Sequence, residues 1–308
     1  MAGPLIVIAG PTGVGKTALA VQVAGSLDGE IVSADSRQIY RYMDIGTAKS
    51  TPEERAQVPH HLLDLVDPDQ TLTLAEYQEA ACAAIADIVA RGRVPFLVGG
   101  TGLYVRAVAE GWTVPRVPPS PALRELFLQR AQREGVAALH AELQAVDPEA
   151  AARIDPRNVR RTVRALEVYH ASGRAISSQQ GRQAPLHQAL WIGLTIPRAE
   201  LYARADARVG RMIAAGWVDE VRDLLARGYN LDLPALSALG YRELGAHLKG
   251  ELSLEEAISL IKRHTRRFIR HQYAWFGLRD PRLHWFDASE PCAEAVRGLV
   301  ASFLRKRK

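Results

Sequence analysis

Apolar and polar positions follow two rhythms along this chain. Short unbroken apolar runs bounded by Gly and Pro alternate with stretches of helical period. The run LIVIA (5–9) fits a buried parallel strand, which is covered on both faces and needs no polar alternation. EIVSA (30–34) and VPFLVGG (94–100) repeat that pattern. Between the first two, GPTGVGKT opens an Ala-, Leu- and Val-rich helix running to about Leu27. Residues 74–91 (LAEYQEAACAAIADIVAR) carry helical spacing and stop at Gly92, and TGLYVRAVAEG predicts a further short helix. Strand–helix alternation of this kind predicts an α/β fold with a parallel sheet flanked by helices.

The rhythm changes at VPRVPPSPA (114–122), where four prolines in nine residues mark a boundary. From about 121 to 187 the pattern is helical, with no convincing strand. ALWIGLTI (189–196) reads as another buried strand, and helices are expected near 198–215, 217–228, 254–276 and 291–305. SLEE (253–256) is a capping box and fixes the start of the third of these. The expected organisation is a P-loop NTPase-like core over residues 1–115 and 188–308, interrupted by an all-helical insertion over 116–187.

Composition narrows the class. The 308 residues are 47% hydrophobic and 24% charged, an ordinary globular profile. No run approaches the roughly 20 apolar residues of a membrane span. The N-terminus enters PLIVIAG without a basic leader, so a cytoplasmic protein is expected. Cys82 and Cys292 are far apart and no CxxC pair exists, which argues against a zinc site or a disulfide framework. The net charge is +5 and the pI about 9.3. Its distribution says more. Residues 153–174 carry six arginines, and residues 262–270 carry five Lys and Arg side chains and no acid. Clustered arginine suits a polyanion such as nucleic acid, and solvated helix faces are the other reading.

Gly10-Pro11-Thr12-Gly13-Val14-Gly15-Lys16-Thr17 matches G-x-x-x-x-G-K-[ST] between a predicted strand and a predicted helix. The glycines let backbone N–H groups turn around an anion, and the helix N-terminus adds partial positive charge. Lys16 supplies a cation, and the Thr17 hydroxyl is a candidate ligand for Mg2+. The motif specifies a di- or triphosphate, as in ATP-binding and other nucleotide-binding proteins, and leaves open which bond breaks. Such hydrolases usually add an apolar strand ending in Asp. Here VPFLVGGTG ends in glycines, and only EIVSAD places an acid, Asp35, at a strand end. Asp35 is then a holder of metal-bound water, a general base, or a turn aspartate. His60 and His61 with Asp64 could suggest a metal pair, but adjacent strand residues face opposite ways and no further ligands cluster there.

Four segments taken together carry a resemblance. GPTGVGKT, SADSRQIYRYMDIGTAK, GGTGLYVRA (99–107) and DPRNVRRTVRALEVYHASGR (155–174), in this order, resemble the tRNA dimethylallyltransferases. LYARADARVGRMIAAGWVDEV, ALGYRE and RHQYAWF look like the same family, so the likeness runs from residue 4 to about 287. It implies transfer of a dimethylallyl group from dimethylallyl diphosphate to N6 of adenosine 37 in tRNAs reading codons that begin with U. The phosphate loop would then hold a leaving diphosphate, with Mg2+. The resemblance makes Asp35 the general base at the amine, Thr101 a second polar group there, and Arg208 a diphosphate contact one turn from Arg204. Ser36, Arg37 and Gln38 look like base- and backbone-reading residues. Arg160, Arg161 and Arg164, with Arg270 and Gln272, look like the tRNA surface, and Arg160 stands where the family commonly has glutamine. Among the departures, His271, Ala274 and Gly277 replace the usual Arg, Thr and Arg. The implied partner is a tRNA anticodon loop, and monomer is the default state. A small-metabolite kinase, with no use for the arginine clusters, is the runner-up among enzymes; an adenylate prenyltransferase and a nucleotide-dependent RNA-binding switch without catalysis are the other competing readings.

Overall fold

The four apolar runs become the middle of one sheet. In the computed structural model, which describes residues 3–306, β1 spans Pro4–Ala9, β2 Gly29–Ser33, β3 His60–His61 and β4 Val94–Gly99. The helices between them are α1 (Lys16–Gly25), α2 (Pro52–Gln57), α3 (Leu74–Ala90) and α4 (Gly102–Ala109). β5 (Trp112–Thr113), helices α5 (Pro121–Glu134), α6 (Val136–Val146), α7 (Pro148–Arg153), α8 (Val159–Ser172) and α9 (Ile176–Gln179), and β6 (Gly181–Arg182) follow. The chain then forms β7 (Gln188–Thr195), α10 (Arg198–Ala214), α11 (Trp217–Ala226), α12 (Tyr241–Leu248), α13 (Leu254–Trp275), β8 (Leu283–Asp287) and α14 (Ala293–Arg305).

Two compact units result. Residues 1–72, 76–109 and 185–308 form one, and residues 73–75 and 110–184 the other. In the first, the described strands pair in the order β3-β2-β4-β1-β7-β8, all parallel. Every residue of β2 is buried, and β1 and β4 are buried after their first residue. That explains the absence of alternation in their sequences. Parallel pairing puts the C-terminal ends of β1, β2 and β4 on one edge, where ligands bind in open α/β sheets. One core packs Ile6, Ile8, Leu19, Phe96 and Ile192 together. A second gathers Ile39, Met43, Trp217, Tyr241 and Ile261 beneath the segment after β2.

The second unit has its own core of Phe127, Leu139, Leu143, Val163 and Leu166. It is helical as expected, with one addition: β6 pairs antiparallel with β5. At its centre Glu167 is fully buried. It accepts from the Ser120 N–H at 2.6 Å, Arg124 Nε at 3.0 Å and Arg164 Nη1 at 2.7 Å. A carboxylate buried without such donors would cost several kcal/mol.

Some elements lie outside the sequence reading. The pattern predicts no element between 276 and 291, yet Leu283–Asp287 adds β8 to the sheet beside β7. The short helices α2 and α12 also went unforeseen.

Candidate active site

The phosphate loop leaves β1 and enters α1 as its sequence requires. Gly15 caps α1 with φ 102°, a left-handed conformation that costs glycine little and other residues more. Lys16 folds back so that its Nζ donates to the Pro11 carbonyl at 2.8 Å. Burial pushes the Lys16 ammonium down to about 8, with nearby Asp35 working the other way and Arg208 reinforcing the drop. Arg208, on α10, is likewise held below its ordinary value, by burial first, against the pull of Asp35. Two desolvated cations facing one carboxylate form a place that gains from an added anion.

Asp35 follows β2 directly. Its Oδ1 accepts the Arg37 backbone N–H at 2.8 Å, so the turn-aspartate reading holds for one oxygen. No protein donor among the described residues reaches Oδ2. Thr101, just past β4, accepts the Ser36 N–H at 3.0 Å and donates to Ser36 Oγ at 3.4 Å. Its N–H donates to the Ala34 carbonyl at 3.2 Å. The ends of β2 and β4 are thereby stitched together. Gly99 is required for this approach, since a Cβ there would strike the Ala34 carbonyl.

These groups surround a cavity of about 300 Å³. Thr12 and Gly13 of the loop, Asp35, Ser36, Arg37, Thr101 and Arg208 supply its polar wall. Val209, Met212, Trp217 and Ile261 supply an apolar one. Arg204, one turn from Arg208, is spent on Glu200 at 2.6 Å and the Ala288 carbonyl at 3.2 Å. Only Arg208 of the two lines the cavity.

The other expected site residues fall in three places. Ser36 and Arg37 line the cavity, and Arg37 Nη1 also donates to the Pro234 carbonyl at 2.8 Å. Gln38 points elsewhere. Its amide accepts from Ser33 Oγ at 3.0 Å and donates to the Ala48 carbonyl at 3.0 Å, bracing the next loop. Gln272 was expected on the RNA surface, and it is 4% exposed. Its Oε1 accepts the Thr12 N–H at 2.8 Å and its Nε2 donates to the Gly100 carbonyl at 3.1 Å. That clamp ties the phosphate loop to the end of β4 and commits both the oxygen and the nitrogen of the amide to the fold. Arg160, Arg161 and Arg270 are exposed. Arg164 is half-buried, committed to Glu167 and to the Val117 carbonyl at 2.7 Å, so it is structural first.

The histidine pair holds no metal cluster. His61 Nε2 meets Glu30 at 2.6 Å and His60 Nδ1 meets the Val58 carbonyl at 2.7 Å. Asp64 is taken by Lys49. No group of three or more His, Cys, Asp and Glu suited to a metal ion occurs among the described residues.

Two residues escaped the sequence reading. The Glu220 carboxylate accepts three successive N–H groups, from Asp44 at 2.8 Å, Ile45 at 2.6 Å and Gly46 at 3.1 Å, and the Tyr241 hydroxyl at 2.7 Å. The Lys49 ammonium, buried, donates to the Tyr40 carbonyl at 2.6 Å and to Asp44 at 2.7 Å. Together they fix the loop that presents Gly46 and Thr47 to the cavity. No local signal marks Glu220, whose backbone partners lie 174 to 176 residues away.

A parallel sheet whose phosphate loop faces the Asp35 carboxylate across one cavity is the architecture of a P-loop enzyme. The comparisons with known proteins give the family. The family model described as IPP transferase matches residues 38–279, and that for isopentenyl transferase matches residues 3–67. A tRNA dimethylallyltransferase of Roseiflexus sp. (strain RS-1) is 58% identical over 273 residues, 89% of this chain and 90% of that protein. One from Thermomicrobium roseum is 54% identical over 304 residues, 98% of this chain and 92% of that protein. The solved tRNA isopentenylpyrophosphate transferase of Bacillus halodurans superposes with TM-score 0.73 at 40% identity, covering 98% and 97% of the two chains. A eukaryotic dimethylallyltransferase acting on tRNA superposes with TM-score 0.83 at 25% identity, covering 100% of this chain and 81% of that one. The chain belongs to the IPP transferase family.

Proposed function

We propose that this protein transfers a dimethylallyl group from dimethylallyl diphosphate to N6 of adenosine 37 in the anticodon loop of tRNA, releasing diphosphate. The observation that carries the reading is the pairing of a phosphate loop with Asp35 across one cavity, Oδ2 being the free oxygen. Transfer breaks the allylic C–O bond and forms a C–N bond. Charge grows on the departing diphosphate, and the loop N–H groups, Lys16 and Arg208 are arranged to take it up. The N6 amine must lose a proton when it bonds to carbon, and Asp35 Oδ2 receives it. Thr101 holds the Ser36 N–H and so keeps the loop bearing Asp35 in register. The adenine must leave its stack to reach this cavity.

The donor set fits magnesium. Mg2+ takes one or two protein oxygens and completes its shell with phosphates and water. Thr17, in the first turn of α1, offers one such oxygen, and the diphosphate supplies the rest. When bound, the ion adds to the neutralisation of the leaving group. In the second unit the exposed Arg160 and Arg161 are the side chains suited to tRNA phosphates, with Arg270 of α13 in the first. Among the described residues no helix is long and apolar enough to cross a membrane.

The test is incubation with radiolabelled dimethylallyl diphosphate, magnesium and a tRNA bearing A36-A37. Label is expected in RNA, and chelation should abolish it. ATP consumption without label in RNA would overturn the reading in favour of a kinase.

A further inference from the structure

Single surface aromatics are ordinary and need no explanation. Phe268, on α13, differs in three respects. It lines the active-site cavity and is still 40% exposed. A second, smaller hollow of about 120 Å³ adjoins that cavity, and the two share only Ser36, Thr101 and Phe268. His271, one turn further along α13, lines that smaller hollow as well and is exposed.

An aromatic side chain with hydroxyls at its margin is a combination that holds an unstacked nucleobase. An apolar prenyl tail has a better home in the same cavity, against Val209, Trp217 and Ile261, each at most 3% exposed. We propose that Phe268 is the surface on which the extruded adenine stacks, with Ser36 and Thr101 at the edge of the base. The ring thereby turns N6 toward Asp35. Phe268 is a substrate-positioning residue, and the assignment rests on the proposed prenyl transfer to tRNA.

The variant Phe268→Leu keeps apolar bulk and removes the π face. Its KM for tRNA should rise about 10- to 100-fold. Its KM for dimethylallyl diphosphate and its melting temperature should match wild type, and Phe268→Tyr or Phe268→Trp should restore tRNA KM. In a tRNA carrying 2-aminopurine at position 37, fluorescence should stay quenched on wild-type protein and brighten on Phe268→Leu. Unchanged tRNA KM in Phe268→Leu, or a rise confined to the diphosphate donor, overturns the stacking assignment while wild-type transfer stands. Failure of wild-type protein to label any tRNA overturns the underlying reading, and the stacking with it.

Discussion

The two ends of β2 carry one acid each and treat it in opposite ways. At the start, Glu30 is 1% exposed and saturated. Arg91 binds both its oxygens, Arg93 Nη1 approaches at 3.0 Å and His61 at 2.6 Å. Hydrogen bonds from Arg91 lead in pulling its carboxyl down to about 2. Past the other end, Asp35 has one backbone donor and a free oxygen, and the neighbouring cations Lys16 and Arg208 are depressed rather than neutralised. The first acid completes a structure, and the second leaves a charge balance to be closed by substrate. The two carboxylates differ in the number of committed donors as well as in burial, Asp35 being half-buried.

The sharpest way to break this contrast is Asp35→Asn. It should lower turnover by about 10²- to 10⁴-fold with tRNA affinity kept, read by single-turnover transfer and filter binding. A loss of tRNA binding would instead make Asp35 a recognition group. Next is the cationic side. Because Lys16 loses its proton near pH 8 in the free protein, affinity for the diphosphate should fall as pH rises through 8. Calorimetry in buffers of different ionisation enthalpy should show proton uptake on binding there, and Lys16→Met should abolish both effects.

At the opposite end of the strand, Glu30→Gln should leave transfer at 25 °C unchanged and cost about 1–3 kcal/mol in denaturant unfolding, reduced because its arginine partners are half-exposed. The sign with pH follows from the lowered carboxyl. Its contribution is present above the ordinary value of 4.5 and disappears as pH falls toward 2. Wild type should therefore lose more stability than Glu30→Gln between pH 5 and pH 3. The smallest effects are expected at the second unit's exposed arginines. Arg160→Ala should lower the salt dependence of tRNA binding by about one phosphate contact, whereas Arg164→Ala should destabilise that unit through Glu167.

The sequence exposed what is local. The phosphate loop, Asp35 at a strand end and the four long apolar runs are readable because each is specified within a few residues. β8 was missed because LHWFD is short and takes its meaning from β7 beside it. Gln272 and Arg164 sat in stretches rich in cations, so they read as surface, but their partners Thr12, Gly100 and Val117 are distant in sequence. The resemblance picked Arg208 over Arg204, and the physical ground for the choice, Glu200 and the Ala288 carbonyl occupying the latter, is visible only in the fold.

The Gln272 clamp bears on the order in which the protein comes into being. It joins a helix near the end of the chain to a loop near its beginning, 260 residues apart. A ribosome must therefore have synthesised the chain as far as Gln272 before the phosphate loop acquires its brace. Nascent chains stopped short of α13 would carry the full phosphate-loop sequence and still lack the finished pocket.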